Sequence, residues 1–174
     1  AAPPPPPTPE THPPAPPPRV AHPARPARGG SRSAWRGDDR VGPLSAKARP
    51  QAGAIAAALA TAGISEVWSS PYLRCLQTAE PLAARCGLTV VPDPRLAEGS
   101  DGAGALDALL ARSDAGHTVA VSSHGDVIPA MVAEAVRRGA TLHGSAEPRK
   151  AARYELTITA GPVTEIHHVD RPEI

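Results

Sequence analysis

Three short stretches of this chain hold residues suited to work on a phosphate group. They are Ser69-Ser70-Pro71-Tyr72-Leu73-Arg74, Leu96-Ala97-Glu98-Gly99 and Ser122-Ser123-His124-Gly125-Asp126. Arg74 offers a planar fork of donors to phosphate oxygens, and His124 offers a donor to another. Glu98 carries a carboxyl group that can protonate a leaving oxygen as general acid. Gly125 lets the backbone approach an anion closely, and a helix starting at Asp126 adds a favourable dipole. Each residue also has a plainer use. Arg74 suits an ion pair with Glu80 or Asp93, Glu98 a solvated loop, and His124 a helix cap. The combination is more specific than any member.

Such residues converge only if the chain carries them to one edge of a sheet, and its pattern does so. Ser45 can cap a helix through Ala46–Ala62 that ends at Gly63. Ile64–Ser69 reads as a strand, followed by a helix from Pro71 through Arg85 with Gly87 as its stop. Leu88–Val91 is a second strand, Ala103–Arg112 a helix, Thr118–Ser123 a buried strand and Asp126–Arg138 a further helix. Tyr154–Thr159 and Val163–Val169 form a closing hairpin around Gly161-Pro162. Strands alternating with helices predict an α/β fold, a three-layer sandwich around a mainly parallel sheet. Ligands of such sheets bind beyond the carboxyl ends of the strands, where all three stretches lie.

Composition narrows the class. The 174 residues suffice for one domain of ordinary size. There are 34 alanines against 30 Val, Leu and Ile together, so the core is built of small residues with few large anchors. Ala, Pro, Arg and Gly dominate, which reflects a GC-rich coding sequence. No stretch approaches 18 apolar residues, and no basic start precedes an apolar run, so neither a membrane span nor a secretory signal is expected. A first residue other than Met is read as the mark of a fragment. Cys75 and Cys86 have neither metal-binding spacing nor a disulfide framework, which suggests reduced thiols in a cytoplasmic protein. A net charge of +1 with 2% aromatic residues gives no footprint for nucleic acid. His167-His168 falls on alternate faces of a strand, so the two are read as surface histidines and not as ligands of one metal.

Thirteen of the 23 prolines lie within residues 3–26. Residues 1–28 are therefore expected to form a disordered Pro/Ala/Arg segment, with the folded domain spanning 29–174. Pro13-Pro14-Ala15-Pro16 fits P-x-x-P, a pattern nearly unavoidable in so proline-dense a run.

The stretch S-S-P-Y-L-R-C-L-Q-T-A at 69–79, together with S-S-H-G at 122–125, resembles the histidine phosphatase superfamily, also called phosphoglycerate-mutase-like. The similarity is to its small phosphohistidine phosphatases of the SixA type. W-R-G-D-D-R-V-G-P-L-S-A-K at 35–47 resembles the phosphatase domain fused behind a Nudix hydrolase in high-GC bacteria. The likeness covers about Gly30 to Val169. It implies covalent catalysis in which a first histidine, in an R-H-G-type motif after the first strand, attacks phosphorus. It further implies that Arg25 and Arg74 hold phosphate oxygens, that His124 is the second histidine, and that Glu98 is the proton donor. No metal or other cofactor is implied. Expected substrates are a phosphohistidine protein, a phosphorylated small molecule or a nucleotide, with an upstream Nudix domain as a possible partner outside this chain.

One motif departs from that pattern. Relatives read roughly R-H-A-x-A-G-S where this chain has Arg25-Pro26-Ala27-Arg28-Gly29-Gly30-Ser31. A proline nitrogen inside a peptide bond cannot attack phosphorus, so Pro26 at the nucleophile position predicts impaired catalysis or a non-catalytic pseudophosphatase. A shifted register would use His22, but Ala21 would then replace the arginine and Pro16-Pro17-Pro18 would precede the strand. His22 is accordingly expected in the tail, and the family's first strand is expected to be missing or degraded. A reading frame shifted upstream of about Gly30 would account for both.

Overall fold

The structure, a computed structural model, describes residues 1–10, 13, 17–26 and 37–173. Most of the P-x-x-P stretch, the expected domain start at Gly29, and Trp35 and Arg36 lie outside the described residues. Seven strands and four α-helices are present among them. The strands are β1 (Arg19–Ala24), β2 (Glu66–Ser69), β3 (Val90–Pro92), β4 (Val119–Ser122), β5 (Thr141–His143), β6 (Arg153–Ile158) and β7 (Val163–Val169). The helices are α1 (Arg49–Leu59), α2 (Leu73–Cys86), α3 (Ala103–Asp114) and α4 (Val127–Arg137).

The strands form one sheet in the order β3-β2-β4-β1-β6-β7-β5. Pairs β2–β3, β2–β4, β1–β4 and β5–β7 are parallel, whereas β1–β6 and β6–β7 are antiparallel. The period of two along each strand sends alternate side chains to opposite layers. Val67 and Ala120 pack with Leu44, Ile55, Leu59 and Leu82, on the α1 and α2 side. Trp68, Val119 and Val121 pack with Leu106, Leu109, Ile128 and Met131, on the α3 and α4 side. This is the three-layer α/β fold read from the sequence. Helix α2 stops at Gly87, whose φ of 68° is the left-handed conformation that a side chain disfavours.

The N-terminal segment departs from expectation. A first strand does form, over Arg19–Ala24, and it is the middle strand of the sheet. Its residues lie within the stretch expected to be tail, and His22 is buried on it opposite Ala120. The strand tolerates Pro23 because of where the missing amide would point. Arg25 N–H donates to Ala152 on the β6 side at 2.9 Å, and Ala24 C=O accepts from Ser123 on the β4 side at 3.1 Å. Backbone groups two residues apart face the same neighbour, so Pro23 forgoes a bond only toward β6. Pairing with β4 runs unbroken through His22, Pro23 and Ala24, while pairing with β6 skips His22 and Pro23. Pro17 and Pro18 stay out of the sheet, because the strand begins after them. Strand β5 is a second element that the sequence pattern did not reveal.

Candidate functional site

The carboxyl ends of β1, β2 and β4 are tied together by backbone bonds that fix the loops leaving them. Ser70 N–H donates to Ser122 at 2.8 Å, and Ser123 N–H to Ala24. Ser123 Oγ donates to the Leu96 carbonyl at 2.7 Å, anchoring the loop that carries Glu98. Gly99 N–H donates to the Asp126 carboxylate at 2.8 Å, so the same loop is pinned to the start of α4. Glu98 itself is exposed on that loop.

His124 is the centre of the site and only 3% exposed. Its Nε2 lies 2.7 Å from Ser70 Oγ, and its Nδ1 lies 3.4 Å from Arg74 Nη2. A guanidinium only donates, so Nδ1 must accept and the ring proton sits on Nε2, directed at Ser70. Tyr72 meets the imidazole edge-on at 4.5 Å, and the Arg74 guanidinium stands 5.1 Å from the Tyr72 ring centre. Burial, reinforced by the Arg74 charge and opposed by Asp126 and Asp39, holds His124 down at about 4. The imidazole is therefore neutral at pH 7. A bound phosphate dianion would reverse that balance and favour the charged, donating form.

Arg74 does not pair with Glu80 or Asp93. Asp93 is taken by Arg95, while Arg74 donates to the Asp39 carbonyl at 3.1 Å and pairs with its carboxylate at 3.2 Å. Asp39 lies in a one-turn 3-10 helix at Asp39–Val41, inside the W-R-G-D-D-R stretch. Arg25 follows β1 directly. Its guanidinium lies against Gly125, where an added Cβ would fall 2.7 Å from Arg25 Cζ, and it donates to the Pro148 carbonyl at 2.8 Å. The missing side chain of Gly125 thus makes room for an arginine. The structure brings Arg74 onto His124 and Arg25 beside Gly125, and places Glu98 on the loop pinned to the same helix start.

Pro26 comes next after Arg25, buried, with its carbonyl accepting from Ala151. In this register Arg25 stands at the strand end and the position after it carries no nucleophile. His22 cannot substitute, because it sits within the strand opposite Ala120, four residues before His124. Cys75 lies 3.7 Å from His124 Nε2, but burial pushes its thiol up to about 12, so no thiolate forms at neutral pH. Beside the site, Gln51, Arg149, Lys150 and Arg171 line a cavity of about 360 Å³. Ala151 and Ala152, next along the chain, hold Pro26 and Arg25 by backbone bonds.

Sequence reasoning passed over Ser70, Tyr72 and Asp39. Each lies within a quoted motif, but only the sheet register shows that Ser70 meets His124.

The chain is similar in sequence and fold to known proteins. Residues 32–104 match the family profile of the histidine phosphatase superfamily (branch 1). The 8-oxo-(d)GTP phosphatase of Mycolicibacterium smegmatis is 28% identical over 147 residues, covering 83% of this chain and 46% of that protein. The chain thus spans about half the length of this curated relative. Among solved structures, the protein histidine phosphatase SixA complexed with tungstate aligns with a TM-score of 0.70 at 24% identity, over 83% of this chain and 92% of that one. A protein assigned as SixA from Nakamurella multipartitia aligns with a TM-score of 0.70 at 21% identity, over 92% and 99% of the two chains. Mycobacterial glucosyl-3-phosphoglycerate phosphatase complexed with VO3 gives 0.60 at 21% identity, over 79% and 90%. These likenesses show the fold.

Proposed function

We propose that the chain is a hydrolase of histidine phosphatase type, and that it retains a phosphate-binding site whose covalent step is impaired. Arg25, Arg74 and His124 would bind the phosphate, and Glu98 would supply a proton to the leaving oxygen. The observation that carries this reading is the Arg25-Pro26 junction. Arg25 packs beside the His124-Gly125 turn, and the next residue is a proline. In the covalent mechanism an imidazole nitrogen forms a bond to phosphorus as the bond to the leaving oxygen breaks. The Pro26 nitrogen is an amide bonded to three carbons, with no lone pair free for that bond. Losing a nucleophile while keeping binding and electrostatics lowers turnover about 10³-fold or more.

The substrate class we favour is a nucleotide phosphate, over a phosphohistidine protein or a simple phosphomonoester. The cations of Arg149, Lys150 and Arg171 line a cavity next to the site and suit a ligand with more negative charge than one phosphate. The Mycolicibacterium relative acts on such a compound by its name. A Nudix domain upstream, and action in the cytoplasm, fit the same reading. A pseudophosphatase that only binds is the second reading, favoured by Pro26 alone.

Binding and turnover separate these outcomes. Titration with inorganic phosphate and with a nucleoside triphosphate should show binding, the triphosphate tighter, alongside hydrolysis far below that of an intact relative. Turnover equal to such a relative would sink the impairment, and absence of phosphate binding would sink the site.

A further inference from the structure

At the far edge of the sheet from β3, strands β5 and β7 bring together three groups that the phosphate site does not use. The parallel register sets His143 beside His167 and Thr141 beside Glu165. Glu165 and His167 are two residues apart on one strand, so they project from the same face. The two imidazoles stack with centroids 4.5 Å apart and planes within 7°. His143 Nε2 is hydrogen-bonded to the Glu165 carboxylate. One nitrogen from each ring and one carboxylate oxygen all lie within 4.8 Å of one another.

We propose that His143, Glu165 and His167 form a surface binding site for a divalent transition-metal ion of the zinc class. Two imidazoles and a carboxylate are the donor set that Zn²⁺, Co²⁺ and Ni²⁺ favour, whereas Mg²⁺ and Ca²⁺ take oxygen ligands. An ion bonded tetrahedrally at about 2.1 Å to each ligand holds its donors about 3.4 Å apart. The present spacing contracts to that by rotation of exposed side chains. Side-chain exposures of 48% for His143 and 45% for Glu165 leave the trio open to solvent, so an ion enters without unfolding the sheet. The strand pairing fixes the rings in advance, which reduces the ordering cost of binding. A hydrogen bond joins His143 Nε2 to Glu165, and an ion bound between them takes its place. Three protein ligands leave further coordination positions for water. The sequence hid this site because it showed His167 next to His168. The true neighbour, His143, is 24 residues away and joins through a three-residue strand.

The test is titration of the full, untagged chain with Zn²⁺ by calorimetry, and with Co²⁺ by its visible absorption. One ion per chain at micromolar affinity is expected, with excess Mg²⁺ failing to compete. His143→Ala and His167→Ala should each weaken binding about tenfold or more, and all three groups are surface-accessible, so far-ultraviolet circular dichroism should be unchanged. His117→Ala, which removes a histidine elsewhere on the surface, should bind as the parent does. Absence of stoichiometric Zn²⁺ binding would overturn the proposal. So would binding undiminished in both His143→Ala and His167→Ala, or lost equally in His117→Ala.

Discussion

Two buried histidines, His22 in the middle of β1 and His124 just past the end of β4, meet the same low-dielectric interior with different outcomes. Burial holds both near a pKa of about 4, and a nearby arginine adds to it in each case, Arg153 for the first and Arg74 for the second. His124 has a partner for each nitrogen, Ser70 on one side and Arg74 on the other. The Nδ1 of His22 is buried with no hydrogen-bond partner among the described residues. The strand centre therefore carries a polar group at a cost, whereas at the strand end the same group has both nitrogens satisfied. A lowered pKa alone identifies neither. Position at a strand end, with donors converging from other strands, is what separates them.

The strongest probe of this contrast is acid. The unfolded chain binds protons on these imidazoles near pH 6.5, whereas the folded chain resists them until about pH 4. Their contribution to stability is complete above pH 6.5 and is lost as pH falls toward 4, by about 3 kcal/mol for each as an upper figure. Urea denaturation at stepped pH should show this decline. His22→Leu should roughly halve it and leave the part due to His124, because an apolar side chain of similar size removes both the titration and the orphaned nitrogen, and stability at pH 7 should hold or rise.

Arg74→Ala attacks the other member of the pair. Removing a charged donor from a bound phosphate costs about 1.5–3 kcal/mol, hence roughly 10- to 100-fold in affinity for inorganic phosphate. His22→Leu should leave that affinity unchanged, and a loss there would erase the distinction between the two regions. Ser70→Ala strips the Nε2 partner from His124 and makes it resemble His22. Thermal or chemical denaturation should register about 1–3 kcal/mol. The smallest stability effect is expected from Gly125→Ala. The new methyl meets the mobile end of Arg25 and pushes it aside, so stability should shift by less than about 1 kcal/mol while phosphate affinity falls.

The regular parts of the fold were legible because their signals are local. Gly87 ends α2, Asp126 caps α4 by accepting from Val127 N–H, and the β6–β7 hairpin lies where its turn residues put it. Strand β1 was not legible, since its six residues include a proline and follow a proline run. What makes it a strand is two waiting neighbours, β4 and β6, supplied from 95 and more residues away. Strand β5 has three residues and one inward side chain, Leu142, too few for any period to show. Arg74, Glu98 and His124 could be picked out as residue types at strand ends. Their partners could not, because Ser70 reaches His124 only through the β2–β4 register.

The central claim is that the phosphate site is present and only its nucleophile is absent. Its most direct test is to incubate the chain and its Pro26→His variant with a labelled phosphate donor, quench, and measure acid-labile phosphate on the protein. The account predicts label on Pro26→His, together with a rise in turnover of about 10³-fold or more, and none on the native chain. Acid-labile phosphate on the native chain would contradict it, since another group would then be acting as the nucleophile.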